Sequence, residues 1–222
     1  RNGSDIMIDI KKECRKIAPL LSSIRRDFHE NPELSEKEYR TMDEICRILD
    51  RWGIEYQKGV ADTGVVAIVR GKTAGKTVAL RADMDALPVK EDNDAPYKSK
   101  NDGIAHACGH DAHITIALGA AKIIKSMENE LCGNVKFFFQ PAEETIGGAE
   151  RMIKAGCMEN PKVEHVLGLH VSPNVEVGQL ELRYGKMNAS SDMITIIARG
   201  KSAHGANPEK SIDPIVIAAN II

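Results

Sequence analysis

The stretch HACGHDAHITIALGAAKII, residues 106–124, decides the architecture, because it joins a dense polar cluster to a segment with no polar face. From Ile114 to Ile124 the residues are almost wholly apolar and rich in alanine. That run is too long for a strand, and it reads as a helix buried between other layers. Short β-type runs flank it. Val65–Val69 and Thr77–Leu80, bounded by glycines, read as strands upstream. Downstream, Val135–Phe139 is a strand stopped by Pro141, Gly147–Ala155 a short helix, and Val163–Leu169 a further buried strand. This β-α-β-α-β alternation predicts an α/β fold with a mixed, partly parallel sheet between helices.

Towards the N-terminus, Ile6, Ile10, Cys14, Ile17, Leu21, Ile24 and Phe28 recur every three or four positions, the stripe of an amphipathic helix. Asn31-Pro32-Glu33 ends it. Ser35 with Glu38 three residues later forms a capping box for a second helix. Its expected core face is Tyr39, Met42, Ile45, Leu49 and Trp52, with Gly53 as the stop. Cys14 and Cys46 fall on these core faces as small apolar fillers. Arg1–Ser4, ahead of Met7, are set aside from the fold reading. Towards the other end, Gly178–Tyr184 and Asp192–Arg199 alternate like strands, and Ile212–Ile222 begins a helix. No internal repeat or low-complexity tract interrupts the chain.

Composition narrows the function. Hydrophobic residues at 42% and charged residues at 28% fit a globular protein. Thirty basic residues against thirty-two acidic ones, with no Lys/Arg cluster interleaved with aromatics, point away from nucleic acid. The sequence contains no apolar run of the roughly 18–20 residues a membrane span needs, and no signal-peptide pattern, so no membrane partner is expected. Five cysteines without regular spacing suggest reduced thiols in a cytoplasmic protein.

The chemistry concentrates in residues 106–113, which hold three of the seven histidines together with Cys108 and Asp111. Imidazole and thiolate are both good ligands for zinc-like cations. In an extended segment, Cys108 and His110 would share a face and aim at one site. A polar loop that merely caps the next helix explains one histidine better than it explains this cluster. Asp83 and Asp85 follow a strand directly. They could be ligands, acceptors that fix the tautomer of a ligand imidazole, or plain turn residues. Glu143-Glu144 follow another strand, and paired carboxylates suit hydrolysis, one binding metal while the other shuttles protons. Most such pairs are simply solvated. His170 closes a third strand, where a lone histidine is more often structural. Position tips the balance: Asp85, Glu143/Glu144 and His170 each sit at the carboxyl end of a separate strand, the edge where open α/β sheets bind ligands. His204, in a polar loop, carries no such argument, and His29 and His165 read as structural.

Five ordered motifs resemble one family: ALRADMDALPV from Ala79, HACGHDAH from His106, FQPAEE from Phe139, GLHV from Gly168 and GKSAHGANPEKSIDP from Gly200. They are similar to the dinuclear metallo-amidohydrolases that include aminoacylases, hippurate hydrolase, auxin-conjugate hydrolases and N-acetyldiaminopimelate deacetylase. The resemblance implies a zinc-exopeptidase-like catalytic domain over residues 1–187 and the start of a smaller α+β lid and dimerisation domain over 188–222. It implies that Cys108 bridges two divalent ions (zinc, manganese, cobalt or nickel) and that His110, Glu144 and His170 are further ligands. Glu143 would be the general base, and Asp85 the carboxylate behind a ligand histidine. His204 would serve the neighbouring subunit's active site in a homodimer or higher oligomer, stabilising the oxyanion. The substrate class implied is an N-acyl amino acid. One departure stands out, because the family's fifth ligand, a histidine near the C-terminus, has no counterpart in these residues. A dipeptide-cleaving metallo-exopeptidase is the alternative among enzymes, although such relatives usually place a carboxylate where Cys108 stands. An inactive fragment or non-catalytic binding homologue is the alternative outside enzymes, and the intact Glu143 argues against deliberate loss of catalysis.

Overall fold

The computed structural model describes residues 9–145, 147–187 and 194–222. The chain divides into two compact units, Arg1–Asn174 and Val175–Ile222. The break precedes the expected boundary at 187/188, and that boundary adjoins residues 188–193, outside the described ones.

The first unit runs α1 (Ile10–Glu30), α2 (Tyr39–Arg51), β1 (Glu55–Val60), β2 (Gly64–Arg70), β3 (Thr73–Asp83), α3 (His110–Ser126), β4 (Cys132–Gln140), α4 (Gly148–Lys154) and β5 (Val163–Gly168). Its sheet has the order β1-β2-β4-β3-β5. The pairs β1–β2 and β2–β4 are antiparallel, whereas β3 is parallel to both β4 and β5. The three parallel strands therefore end at one edge, and that edge carries the chemistry.

Successive side chains of a strand point to opposite faces, and the uninterrupted apolar runs arise because both faces are covered. Val65, Ala67 and Val69 of β2, with Phe137 and Phe139 of β4, pack with Phe28, Ile45, Leu49, Ile114 and Leu118 of α1–α3. On the other face Val66, Ala79 and Phe138 pack with Met152 of α4, Cys157 and Val163. The expected buried helix is α3, extended at both ends relative to Ile114–Ile124.

Several local expectations give way to longer-range contacts. Ser35 does not cap α2; its hydroxyl donates to Asp85 Oδ2 at 2.6 Å. The helix starts at Tyr39, and Glu33 Oε2 and Oε1 accept the free amides of Thr41 and Arg40 at 2.8 and 3.1 Å. Glu38 is buried instead, accepting from Thr63 Oγ1 at 2.6 Å and from the Ala142 amide at 2.8 Å. Tyr39 and Ile10 are exposed. Of the two helical cysteines only Cys46 is buried, Cys14 being exposed in the first turns of α1. The stripe's first residue, Ile6, lies outside the described residues; α1 begins at Ile10, capped by Asp9, which accepts from the Lys12 amide at 3.1 Å. Strand β1, with the sequence EYQKGV, has no apolar alternation to betray it and is exposed but for the buried Val60 and the half-buried Tyr56. Strand β5 is not buried: as the edge strand it buries only Val163 and leaves Leu167 65% exposed.

In the second unit the described residues form no strand. Gly178–Tyr184 consists of turn and irregular backbone, and so do residues 194–199; the first residues of the expected strand Asp192–Arg199 lie outside the described ones. Alternation alone cannot hold a strand without a partner, and Leu180, Leu182, Ile194 and Ile197 are exposed. A bridge joins Lys201 to Ile212. It is followed by α5 (Pro214–Ile221), capped by Asp213, whose carboxylate accepts the Ile215 amide at 2.8 Å, with Pro214 in the first turn. No helix among the described residues is long and apolar enough to cross a membrane.

Candidate metal centre

Four chain segments meet at the carboxyl edge of β3, β4 and β5. Asp83 ends β3 with Asp85 just beyond, Glu143-Glu144 follow β4, and His170 follows β5. Between them α3 opens with His110, preceded by Gly109 in the left-handed region at φ 86° and by Cys108. That φ favours glycine, and a Cβ at Gly109 would also come within 2.4 Å of Val171 Cγ2 and displace it.

His110 is the fully buried hub. Its Nδ1 donates to the Asp85 carbonyl at 2.8 Å, which leaves Nε2 to face Glu144 Oε1, 3.8 Å away, and Asp83 Oδ1, 3.6 Å away. His110 Nε2 and Glu144 Oε1 are buried without a hydrogen-bond partner among the described residues. His170 repeats the arrangement: its Nδ1 donates to the Val171 carbonyl at 2.7 Å, and Nε2 lies 3.3 Å from Cys108 Sγ. The ligand atoms of Cys108, His110 and His170 lie within 4.8 Å of one another, and so do those of His110, Glu143 and Glu144. Two triads thus share one imidazole. Orphaned buried lone pairs cost free energy unless a cation or donor meets them. A set of thiol, imidazole and carboxylate groups fits a zinc-class divalent ion.

A third cluster, Asp83, His110 and His113, is equally compact, but His113 has no free nitrogen. Its Nδ1 donates to Asp83 Oδ1 at 2.6 Å and its Nε2 accepts the Val171 amide at 2.9 Å.

The surroundings set the protonation states. Burial opposes charge on Asp85, but the adjacent His110 ring, the Ser35 hydroxyl and the Glu144 amide at 3.0 Å prevail and lower its pKa to about 2. Burial pushes the Cys108 thiol up to about 12, with Glu144, Glu143 and Asp83 adding to the effect; among these acids only a bound cation would make it a thiolate. Burial, Glu144 and Asp83 raise the Glu143 carboxyl above its ordinary value. That direction suits a group that must take and return a proton.

Behind the site, Asp111 Oδ2 accepts from Arg25 Nε and His29 Nδ1, both at 2.7 Å, and His29 Nε2 reaches Glu91 Oε1 at 2.9 Å. His29 thereby ties α1 to the start of α3. His106, part of the dense sequence cluster, is buried outside the ligand triads, and burial lowers its pKa to about 4. His165 is exposed on β5. His204 belongs to the second unit, where its Nδ1 accepts the Ala206 amide at 3.2 Å. Sequence reasoning missed the Ser35–Asp85 and Asp83–His113–Val171 links, which join residues with no shared spacing or pattern.

Comparison with known proteins follows the same residues. The model of Peptidase family M20/M25/M40 matches residues 79–221. Thermostable carboxypeptidase 2 of Saccharolobus solfataricus is 44% identical over 220 residues, covering 98% of this chain and 56% of that protein. N-acetyl-L-cysteine deacetylase of Bacillus subtilis is 41% identical over 225 residues, covering 99% of this chain and 53% of that protein. The crystal structure of Bacillus subtilis YXEP, described as a dinuclear metal binding peptidase from the M20 family, superposes with a TM-score of 0.70 at 41% identity. That match covers 74% of this chain and 46% of YXEP. The chain thus spans about half the length of these relatives.

Proposed function

Because the chain belongs to peptidase family M20/M25/M40, we propose that the protein is a metal-dependent amidohydrolase that cleaves N-acyl amino acids to a carboxylic acid and an amino acid. One observation carries the reading: the two ligand triads share His110, whose Nε2 is buried and, among the described residues, unpartnered beside a similarly unpartnered Glu144 Oε1. Cys108, His110, Glu144 and His170 would hold two divalent ions, zinc, manganese, cobalt or nickel. Once bound, such ions acidify water and polarise an amide carbonyl.

The protein's own groups do the rest. Asp85 holds the His110 ring through its carbonyl, and its carboxylate accepts from Ser35 and from the Glu144 amide, so one residue orients two ligands. Glu144 is thereby fixed, while Glu143 is the more exposed carboxylate of the pair; that contrast supports Glu144 as ligand and Glu143 as base. Glu143 takes a proton from the water that adds to the amide carbon. As the carbon–nitrogen bond breaks, it delivers that proton to the departing amine. His204, acting in a neighbouring copy's site, would stabilise the oxyanion. Residues 188–222 would belong to the lid through which subunits pair. Five unpaired cysteines are in keeping with a reducing, cytoplasmic setting.

A carboxypeptidase-type activity is the second reading, favoured by the similarity to thermostable carboxypeptidase 2. The test is metal content per subunit of the full-length protein, with hydrolysis of N-acetyl amino acids measured beside dipeptides. About two metals per chain with preference for the acylated amino acids supports the proposal; preference for dipeptides selects the second reading. A protein that takes up no metal in zinc, manganese, cobalt or nickel overturns both.

A further inference from the structure

His170 is the most exposed member of the metal set. It stands beyond the end of an edge strand, is exposed, and receives no ladder hydrogen bond in the sheet. Its ring is oriented by the neighbouring carbonyl, because Nδ1 donates to Val171 O at 2.7 Å. The direction of Nε2 therefore follows the Val171 peptide, and the question becomes what fixes Val171.

The answer is buried. The Val171 amide donates to His113 Nε2 at 2.9 Å, and His113 Nδ1 donates to Asp83 Oδ1 at 2.6 Å. Asp83, at the end of the interior strand β3, is also held by Arg81 Nη1 at 2.7 Å. The Val171 side chain lies against Gly109, so closely that a Cβ there would meet its Cγ2 at 2.4 Å. The His113 and His170 rings meet edge to face with centroids 4.6 Å apart. Only one tautomer of His113 satisfies both bonds, with the proton on Nδ1 and the lone pair on Nε2.

We propose that His113 is a positioning residue for His170. Through the Val171 amide it clamps the segment after β5 to the end of β3, and it is not itself a metal ligand. The inference rests on the metal-site reading above and adds to it a specific dependence. The acceptor at the ε position of residue 113 sets His170, whereas the donor at the δ position only anchors the ring.

Two substitutions separate these halves. His113→Gln can place an acceptor where Nε2 lies and loses the Asp83 bond, whereas His113→Asn can keep a donor to Asp83 and loses the acceptor for Val171. The measurement is cobalt(II) affinity of the full-length protein by competition with a chromophoric chelator. Wild-type affinity should persist in His113→Gln and fall about 10- to 100-fold in His113→Asn, the usual cost of losing a partner that orients a ligand. Wild-type affinity in His113→Asn, or equal losses in both variants, would overturn the inference while leaving the metal site standing. A wild-type protein that takes up no cobalt would overturn both. Independently of the variants, ¹⁵N-histidine NMR of the wild-type protein should show His113 protonated at Nδ1 and bare at Nε2. A proton on Nε2 overturns the clamp even if neither variant folds.

Discussion

At the residue scale, the division of labour between Glu143 and Glu144 is the sharpest claim, because adjacent and chemically identical side chains are assigned different work. Glu144 is tied by its amide to Asp85 and points at His110, whereas Glu143 has the raised carboxyl. Changing Glu143 to Gln should leave metal content unchanged and lower kcat by roughly 10²–10⁴-fold, the usual contribution of a general base. Loss of metal together with activity would make Glu143 a ligand; retained activity would remove it from the mechanism. The types of these residues were legible in the sequence, since thiol, imidazole and paired carboxylates at strand ends have few other reasons to converge. Their order was not, because nothing in Glu143-Glu144 distinguishes the two before the chain places one of them beside Asp85. His113 stood in the same legible cluster, yet its role depends on Val171, an apolar residue that no chemical motif singles out.

At the scale of elements, the long apolar segments were the readable part. The helix after Asp111 is largely buried, the strands around Val65–Val69 and Val135–Phe139 are buried on both faces, and burial writes itself into composition. Starts and edges were less readable. The Ser35/Glu38 pattern has every mark of a capping box, but both side chains found stronger long-range partners and Glu33 took over the cap. Glu38 is the telling case: its carboxylate holds the Thr63 hydroxyl ahead of β2 and the Ala142 amide beyond β4, so it fastens the chain just before Glu143. Glu38→Ala strands two buried donors, each costing about 1–3 kcal/mol, so a loss of roughly 2–6 kcal/mol in urea unfolding is expected. Glu38→Gln, which can keep an acceptor for Ala142, should lose clearly less. Equal losses would mean that packing, not the pair of hydrogen bonds, holds this junction.

At the scale of the whole molecule, the sheet edge is readable because three strands run parallel, and it stays fixed because the helices behind it are tied together. The His29 network makes one such tie, and it should give global stability a particular pH dependence. The hydrogen bond to Asp111 raises the His29 pKa most; burial opposes it, and Glu91 adds to the rise. A raised folded-state value means the contribution is complete below the unfolded histidine's pKa of about 6.5 and is lost as pH rises through the folded value. The groups facing His29 keep their charge through that window. The Asp111 and Glu91 carboxyls are shifted below their ordinary values, burial holds His106 neutral, and Arg25 remains a cation. Unfolding of the wild-type protein and of His29→Gln, both in EDTA, should therefore differ more at about pH 6 than at about pH 9, because only the charged imidazolium donates to both carboxylates. A gap that stayed constant across that range would show that His29 acts as a neutral spacer, and a gap that widened towards alkaline pH would reverse the sign of the coupling and place the proton elsewhere in the network.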